Sequence, residues 1–257
     1  MTHRRRQSEP LETTRAFFES EEFLRTLLAE KEPAHTDIEV RGALKLSGWT
    51  AGDRIVDLGC GFGRHAAAMS QLGLHVTGVD LSGRLLSAAR RRSEHADRPP
   101  TWVRADYAQL PFDDHSADGL LCVGTSFGYD TDERNLLTLR EWARVLKPGG
   151  KLVLHTMHRD RTLAGFQARE NRTLPNGYML MIDRVFHPWT GVLEETQRLK
   201  DDEGVHPARA WRIRLYCATE LRAMLAQAGF SVADPYGGPA GGRFDAADPL
   251  WLVAQRD

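Results

Sequence analysis

Cysteine is scarce in this chain of 257 residues: Cys60, Cys122 and Cys217 are odd in number, far apart and without a C-x-x-C pair. That pattern argues against a disulfide framework and against a zinc or iron–sulfur centre, and no metal site is expected. An excess of either charge is also missing, since 34 Lys and Arg stand against 35 Asp and Glu for a formal net charge of -1. Such a balance provides no broad attraction to phosphate backbones, which disfavours a nucleic-acid partner. The one basic run, His3-Arg4-Arg5-Arg6, sits beside Gln7, Ser8, Glu9 and Pro10 and reads as a solvated tail. No apolar run approaches the ~20 residues of a membrane span, and the N-terminus lacks the apolar stretch of a signal peptide. No membrane association and a cytoplasmic location are therefore expected.

The composition, 41% hydrophobic and 27% charged, suits a single α/β domain with an elaboration. Residues 11–30 carry apolar positions at helical spacing with a break near Ser20, and a second helix is expected over 38–46 after an interruption at 33–37. An alternation then repeats: strand 54–58, helix 64–72, strand 75–79, helix 82–96, short strands at 102–103 and 120–123, helix 132–146, a turn at 147–150, and strand 151–155. Nearly all-apolar strands alternating with helices predict a parallel sheet covered on both faces. Past His158 three extended segments, 178–186, 191–200 and 208–216, read as an antiparallel insertion. Thr219 is expected to cap a helix that Gly229 stops, and 250–254 supplies a last strand.

The most specific stretch is Ile55-Val56-Asp57-Leu58-Gly59-Cys60-Gly61-Phe62-Gly63, a hydrophobic strand that delivers glycines into a turn before a helix. Glycine is required where backbone turns sharply and lets a ligand approach closely. The order is G-x-G-x-G, and Arg64 stands where a dinucleotide fingerprint would continue, which weakens a nicotinamide reading.

On these residues the chain resembles the class I S-adenosylmethionine-dependent methyltransferases. The resemblance implies a Rossmann-like sheet with helices on both faces, an N-terminal tail and helical lid over 1–48, and a methyltransferase domain over 49–257. Within that domain, 159–216 would form a small antiparallel β insertion on the substrate side, after the fifth strand. It also implies S-adenosyl-L-methionine as cofactor, with Asp57, Gly59, Cys60, Gly61 and Gly63 at the loop and the amino acid end. Asp80 in Val79-Asp80-Leu81-Ser82 would accept from both ribose hydroxyls, with Leu81 alongside; a helix N-cap is its alternative role. Asp106, before Tyr107, would accept from the adenine amine. Three acids ending three successive strands suit one nucleoside lying across the sheet edge.

Gly124-Thr125-Ser126-Phe127-Gly128-Tyr129 follows the fourth strand, where relatives border the acceptor. The prolines of the amino-methylating DNA enzymes and the Pro-Cys of the cytosine C5 enzymes are both missing, which demotes nucleobases. Tyr129 and His158 are the candidate catalytic residues, either of which could orient a nucleophile or relay its proton, and packing roles are the alternative. Arg212 and Arg214 could meet an acidic substrate or be exposed edge-strand residues. The expected function is methyl transfer to N or O of a small-molecule metabolite. Transfer to RNA or protein, and a non-catalytic cofactor-binding role, remain as alternatives; a homo-oligomer is left open.

Overall fold

The structure is a computed structural model that describes residues 9–30, 33–232 and 235–257; the basic run at 3–6 lies outside them. Helices α1 (Glu9–Phe18) and α2 (Glu21–Glu30) are divided at Ser20. Its hydroxyl donates to the Phe17 carbonyl at 2.7 Å and accepts from the Phe23 N–H at 3.2 Å, so one side chain both ends and starts a helix. Helix α3 (Pro33–Ser47) begins at Pro33 and not at residue 38, because proline at the first helical position has no N–H to leave unsatisfied.

The expected alternation follows: β1 (Arg54–Leu58), α4 (Arg64–Gln71), β2 (His75–Asp80), α5 (Gly83–Ser93), β3 (Thr101–Arg104), β4 (Ala117–Cys122), α6 (Asp132–Val145) and β5 (Leu146–Thr156). The turn expected at 147–150 is instead an irregularity within β5, whose register against β4 shifts between Ala117 and Gly119. After α7 (Arg159–Ala164) come β6 (Arg169–Thr173), β7 (Met179–His187), β8 (Val192–Asp201), β9 (Gly204–Val205) and β10 (Arg209–Arg214). The chain closes with α8 (Ala218–Gln227), β11 (Phe230–Val232) and β12 (Leu250–Arg256). Short α7, β6, β9 and β11 carry too little periodicity to be read from sequence. Helix α8 is capped at Cys217 and not at Thr219: the Cys217 N–H donates to the Glu220 carboxylate at 2.9 Å.

The large sheet runs β11-β12-β5-β4-β1-β2-β3, with β1 to β5 parallel and β12 antiparallel to both its neighbours. Side chains alternate between its faces. Val56, Leu58, Leu120, Leu152 and Leu154 pack with Trp142 and Tyr216 on one side, while Ile55, Leu121 and Val153 meet Val40, Ala43 and Met69 on the other. Helix α3 thus belongs to the core of the large sheet. The order in which strands are added reverses between β1 and β4, so the connections after these two parallel strands run to opposite sides and leave a crevice at the carboxyl edge.

The insertion is a second, antiparallel sheet, β10-β8-β7-β6, with β9 beside β8. Helices α1 and α2 join the two sheets as a lid. On one side Arg209 pairs with Glu22 at 2.9 Å, Arg25 with Asp201 at 2.5 Å and Arg172 with Glu30 at 2.7 Å. On the other, Leu24 packs with Phe62, Leu85 and Ala88, and Arg84 donates to the Glu19 carbonyl at 2.9 Å.

Candidate active site

A cavity of about 680 Å³ lies beneath the lid, walled by the loops after β1 to β4 and by the inner face of the insertion. The glycine loop forms its floor. Gly59, Gly61 and Gly63 have φ of 66°, 57° and 77°, the left-handed region that side chains avoid. A Cβ on Gly61 would have only Leu27 Cδ2 at 3.8 Å and would project into the cavity, whereas one on Gly63 would strike the Trp102 ring at 2.3 Å. The first glycine keeps the space open, and the second lets helix α4 start close against the strands.

Asp80 lies half-buried at the end of β2. Its Oδ2 accepts from the Gly61 N–H and its Oδ1 from the Ser82 N–H, each at 2.8 Å. A carboxylate has about four acceptor positions, so two remain. Capping of α5 is done by Ser82, whose Oγ accepts from the Leu85 N–H at 3.1 Å, and Asp80 is thereby left to the cavity. Burial raises the Asp80 carboxyl above its usual range, and the backbone N–H groups of Ser82, Gly61 and Leu81 oppose the rise. Asp106 also lines the cavity, with Oδ1 accepting from the Ala108 N–H at 3.0 Å and Oδ2 paired to Arg15 at 3.0 Å.

Of the residues singled out from sequence, the structure gathers Gly59, Cys60, Gly61, Asp80, Leu81, Asp106, Tyr107, Gly124 and Tyr129 around this cavity. Asp57, Gly63 and His158 are not in its lining. Asp57 is buried beneath the loop with neither carboxylate oxygen hydrogen-bonded. Burial pushes its carboxyl up to about 7, with the positive charge of Arg64 working in the other direction. His158 points away: in extended backbone Met157 faces the cavity and the next side chain faces the opposite side. The His158 ring is buried, with Nδ1 3.3 Å from the Asp248 carbonyl oxygen and the ring 5.1 Å from that of Phe244. Arg212 and Arg214 do not reach the cavity either. Arg214 is held by Glu220 at 2.9 Å and lies over the Tyr216 ring at 4.6 Å.

Below the glycine loop, Glu39 of α3 ties down the start of α4. Its Oε2 lies 2.5 Å from Arg64 Nη1 and 2.9 Å from His65 Nε2. Burial would raise the Glu39 carboxyl, but bonds and charge from His65 and Arg64 prevail and hold it at about 2.

The end of the cavity next to the β4 loop is aromatic, which no local pattern had indicated. Phe18 stands edge-on to Tyr129 at 5.0 Å, Tyr129 edge-on to Trp211 at 6.2 Å, and Phe17 lies 6.3 Å from Trp211. Phe23 completes the group at 5.0 Å from both Phe17 and Phe18. Three segments far apart in sequence contribute, residues 17–23, Tyr129 and Trp211, and only the adjacent Phe17-Phe18 pair hinted at a second apolar use of α1. Burial raises the Tyr129 phenol above its usual range, so it stays protonated.

A β1–β5 parallel core with an antiparallel strand beside β5, and a glycine loop at the point of reversal, define a Rossmann-like methyltransferase fold. Residues 55–150 match the family described as Methyltransferase domain. A demethylmenaquinone methyltransferase of Clavibacter sepedonicus is 43% identical over 104 residues, covering 40% of this chain and 41% of that protein. The chain thus spans less than half the length of that curated relative. The CcbJ methyltransferase of Streptomyces caelestis superposes with a TM-score of 0.75 at 19% identity, covering 86% of this chain and 89% of that one. The S-adenosylmethionine-bound amino pentose methyltransferase CalS10 of Micromonospora echinaspora gives 0.64 at 20% identity, covering 88% and 92%. The family match covers residues 55–150, and the two solved structures share the fold over most of the chain, one of them with S-adenosylmethionine bound.

The residues present fit that cofactor. The space a Cβ on Gly61 would fill admits its backbone-hugging portion, Asp80 has spare acceptor positions for a diol, and Tyr107 offers a flat apolar neighbour for a base. Among the described residues no helix is long and apolar enough to cross a membrane.

Proposed function

We propose that the protein transfers a methyl group from S-adenosylmethionine to a nitrogen or oxygen of a small-molecule acceptor. Bound in the cavity, the cofactor supplies a methyl carbon to which the acceptor's lone pair bonds as the C–S bond breaks, the pair staying on sulfur and the acceptor's proton passing to solvent. Asp80 holds the ribose hydroxyls by charge-assisted hydrogen bonds, and Asp106 accepts from the adenine amine beside Tyr107. Gly59, Cys60, Gly61 and Leu81 provide the backbone wall, with Gly63 and Asp57 supporting the turn from below. Gly124 borders the sulfonium end.

The observation that carries this reading is the aromatic end of the cavity, built by the lid, the β4 loop and the insertion together. It suits a compact acceptor better than an extended polymer strand. Holding such an acceptor near attack distance removes much of the entropic barrier, and excluding water keeps an amine or hydroxyl nucleophile desolvated. A protonated Tyr129 orients the nucleophile by hydrogen bonding; it is not poised as a phenolate base. Two of the relatives, the demethylmenaquinone methyltransferase and the amino pentose methyltransferase, are named for small acceptors, whereas a probable tRNA methyltransferase 9B of Homo sapiens is not.

The test is transfer of tritium from methyl-labelled S-adenosylmethionine to metabolite extracts, with bulk RNA and protein assayed in parallel. Label in a low-molecular-mass fraction is expected. Label confined to RNA or protein would overturn the acceptor class.

A further inference from the structure

Glu195 lies on β8 with its carboxylate buried and bonded on three sides: Arg184 Nε donates at 2.6 Å, Gln197 Nε2 at 2.6 Å and Trp211 Nε1 at 3.2 Å. Strand geometry puts these groups on one face of the insertion sheet. Glu195 and Gln197 are two residues apart on β8, and Arg184 and Trp211 are the register partners of Glu195 on β7 and β10. Glu195 itself does not line the cavity, but Gln197 and Trp211 do.

An ionised carboxylate only accepts hydrogen bonds, so Gln197 must turn its NH₂ toward Glu195. The amide oxygen is then the group left to a ligand, and the orientation of the indole is set by the same carboxylate. Gln197 shares Glu195 Oε1 with Trp211 and lines the same cavity as Phe17, Phe18 and Tyr129, where Tyr129 stands edge-on to both Phe18 and Trp211, an arrangement that suits insertion of a further ring. The charged groups next to Gln197 on the insertion sheet, and Asp130 of the β4 loop, are paired. Glu195 is matched by Arg184, Arg184 also by Glu170 at 2.8 Å, and Asp130 by Arg134 at 2.8 Å.

From this we infer that the methyl acceptor is a flat, uncharged aromatic molecule whose hydroxyl or neutral amine donates a hydrogen bond to Gln197 Oε1. Glu195 is the positioning residue that dictates this preference. The inference rests on the methyl-transfer reading and narrows its substrate class. A carboxylate-bearing ring would be repelled by the amide oxygen. An amino sugar would lose its hydration without a counter-charge.

The experiment is calorimetry on the full chain, titrated first with S-adenosylhomocysteine and then, when loaded, with four probes: 2-naphthol, 2-methoxynaphthalene, 2-naphthoate and glucosamine. 2-Naphthol should bind about tenfold or more tighter than the other three, the scale expected for one hydrogen bond to a partly buried acceptor. Gln197→Leu should bring 2-naphthol down to the level of 2-methoxynaphthalene without changing affinity for S-adenosylhomocysteine, and Gln197→Met serves the same purpose if the leucine variant does not fold. Equal binding of naphthol and its methyl ether, tightest binding of naphthoate or glucosamine, or an unchanged preference in the folded variant would each overturn the inference alone. No binding of S-adenosylhomocysteine to the wild type would instead overturn the methyl-transfer reading and this inference with it.

Discussion

Arg15 Nη2 stands 3.0 Å from Asp106 Oδ2, joining the lid helix α1 to the loop after β3 across 91 residues of sequence. The carboxylate proposed to receive the adenine amine is thus also the one that ties the lid down. The pair is largely exposed, and exposed pairs contribute about 0–1 kcal/mol. Its use is in timing more than in stability. Arg15→Ala should release S-adenosylhomocysteine about two- to fivefold faster, as read by stopped-flow displacement. The difference should shrink as salt is raised. Equal release rates at low salt would show that the pair does not latch the lid.

Asp80→Ala removes a carboxylate that accepts from both the glycine loop and the start of α5. Cofactor affinity should fall by about 1.5–3 kcal/mol, more than tenfold, by calorimetry on a variant whose circular dichroism is unchanged. Unaltered affinity would remove Asp80 from the ribose.

Tyr129→Phe should leave cofactor affinity nearly intact and lower the turnover number roughly tenfold to a hundredfold, since only a contact to the reacting nucleophile is lost. Full activity would leave proximity and desolvation as the mechanism, with Tyr129 as packing. Loss of cofactor binding would mean that the β4 loop lies elsewhere.

Glu39 sets an acid limit on stability. Its carboxyl is held at about 2 in the fold against 4.5 for a free group. A depressed carboxylate stabilises the fold above the unfolded value, and that contribution is lost as pH falls from about 4.5 toward 2. The shift corresponds to ~3 kcal/mol at neutral pH. Denaturant unfolding of Glu39→Gln should show a deficit of that order at pH 7 that closes by pH 2 to 3. A deficit independent of pH would show that the Arg64 and His65 bonds do not depend on the charge.

The positions of Gly59, Gly61, Gly63, Asp80 and Asp106 were legible in the sequence because each signal is local. An apolar strand, a run of alternating glycines and an acid at a strand end are encoded within a few residues, and the parallel sheet brings successive strand ends to one edge without further instruction. The roles of Tyr129 and His158 could not be separated in that way, for both follow a strand on the same edge. Which of them faces the cavity depends on the direction of a side chain in irregular backbone. Packing decides it by giving the inward place to Met157 and seating His158 against Phe244. The aromatic end of the cavity was hidden for a different reason: Phe18, Tyr129 and Trp211 meet only because α1 packs between the two sheets. Sequence alone therefore determined the fold class and the glycine-loop edge of the cavity, which follow from periodicity and turn chemistry. Tertiary structure decided the aromatic end of the cavity, since its residues come from distant segments and are brought together by burial of apolar surface, which is non-directional and leaves no local pattern.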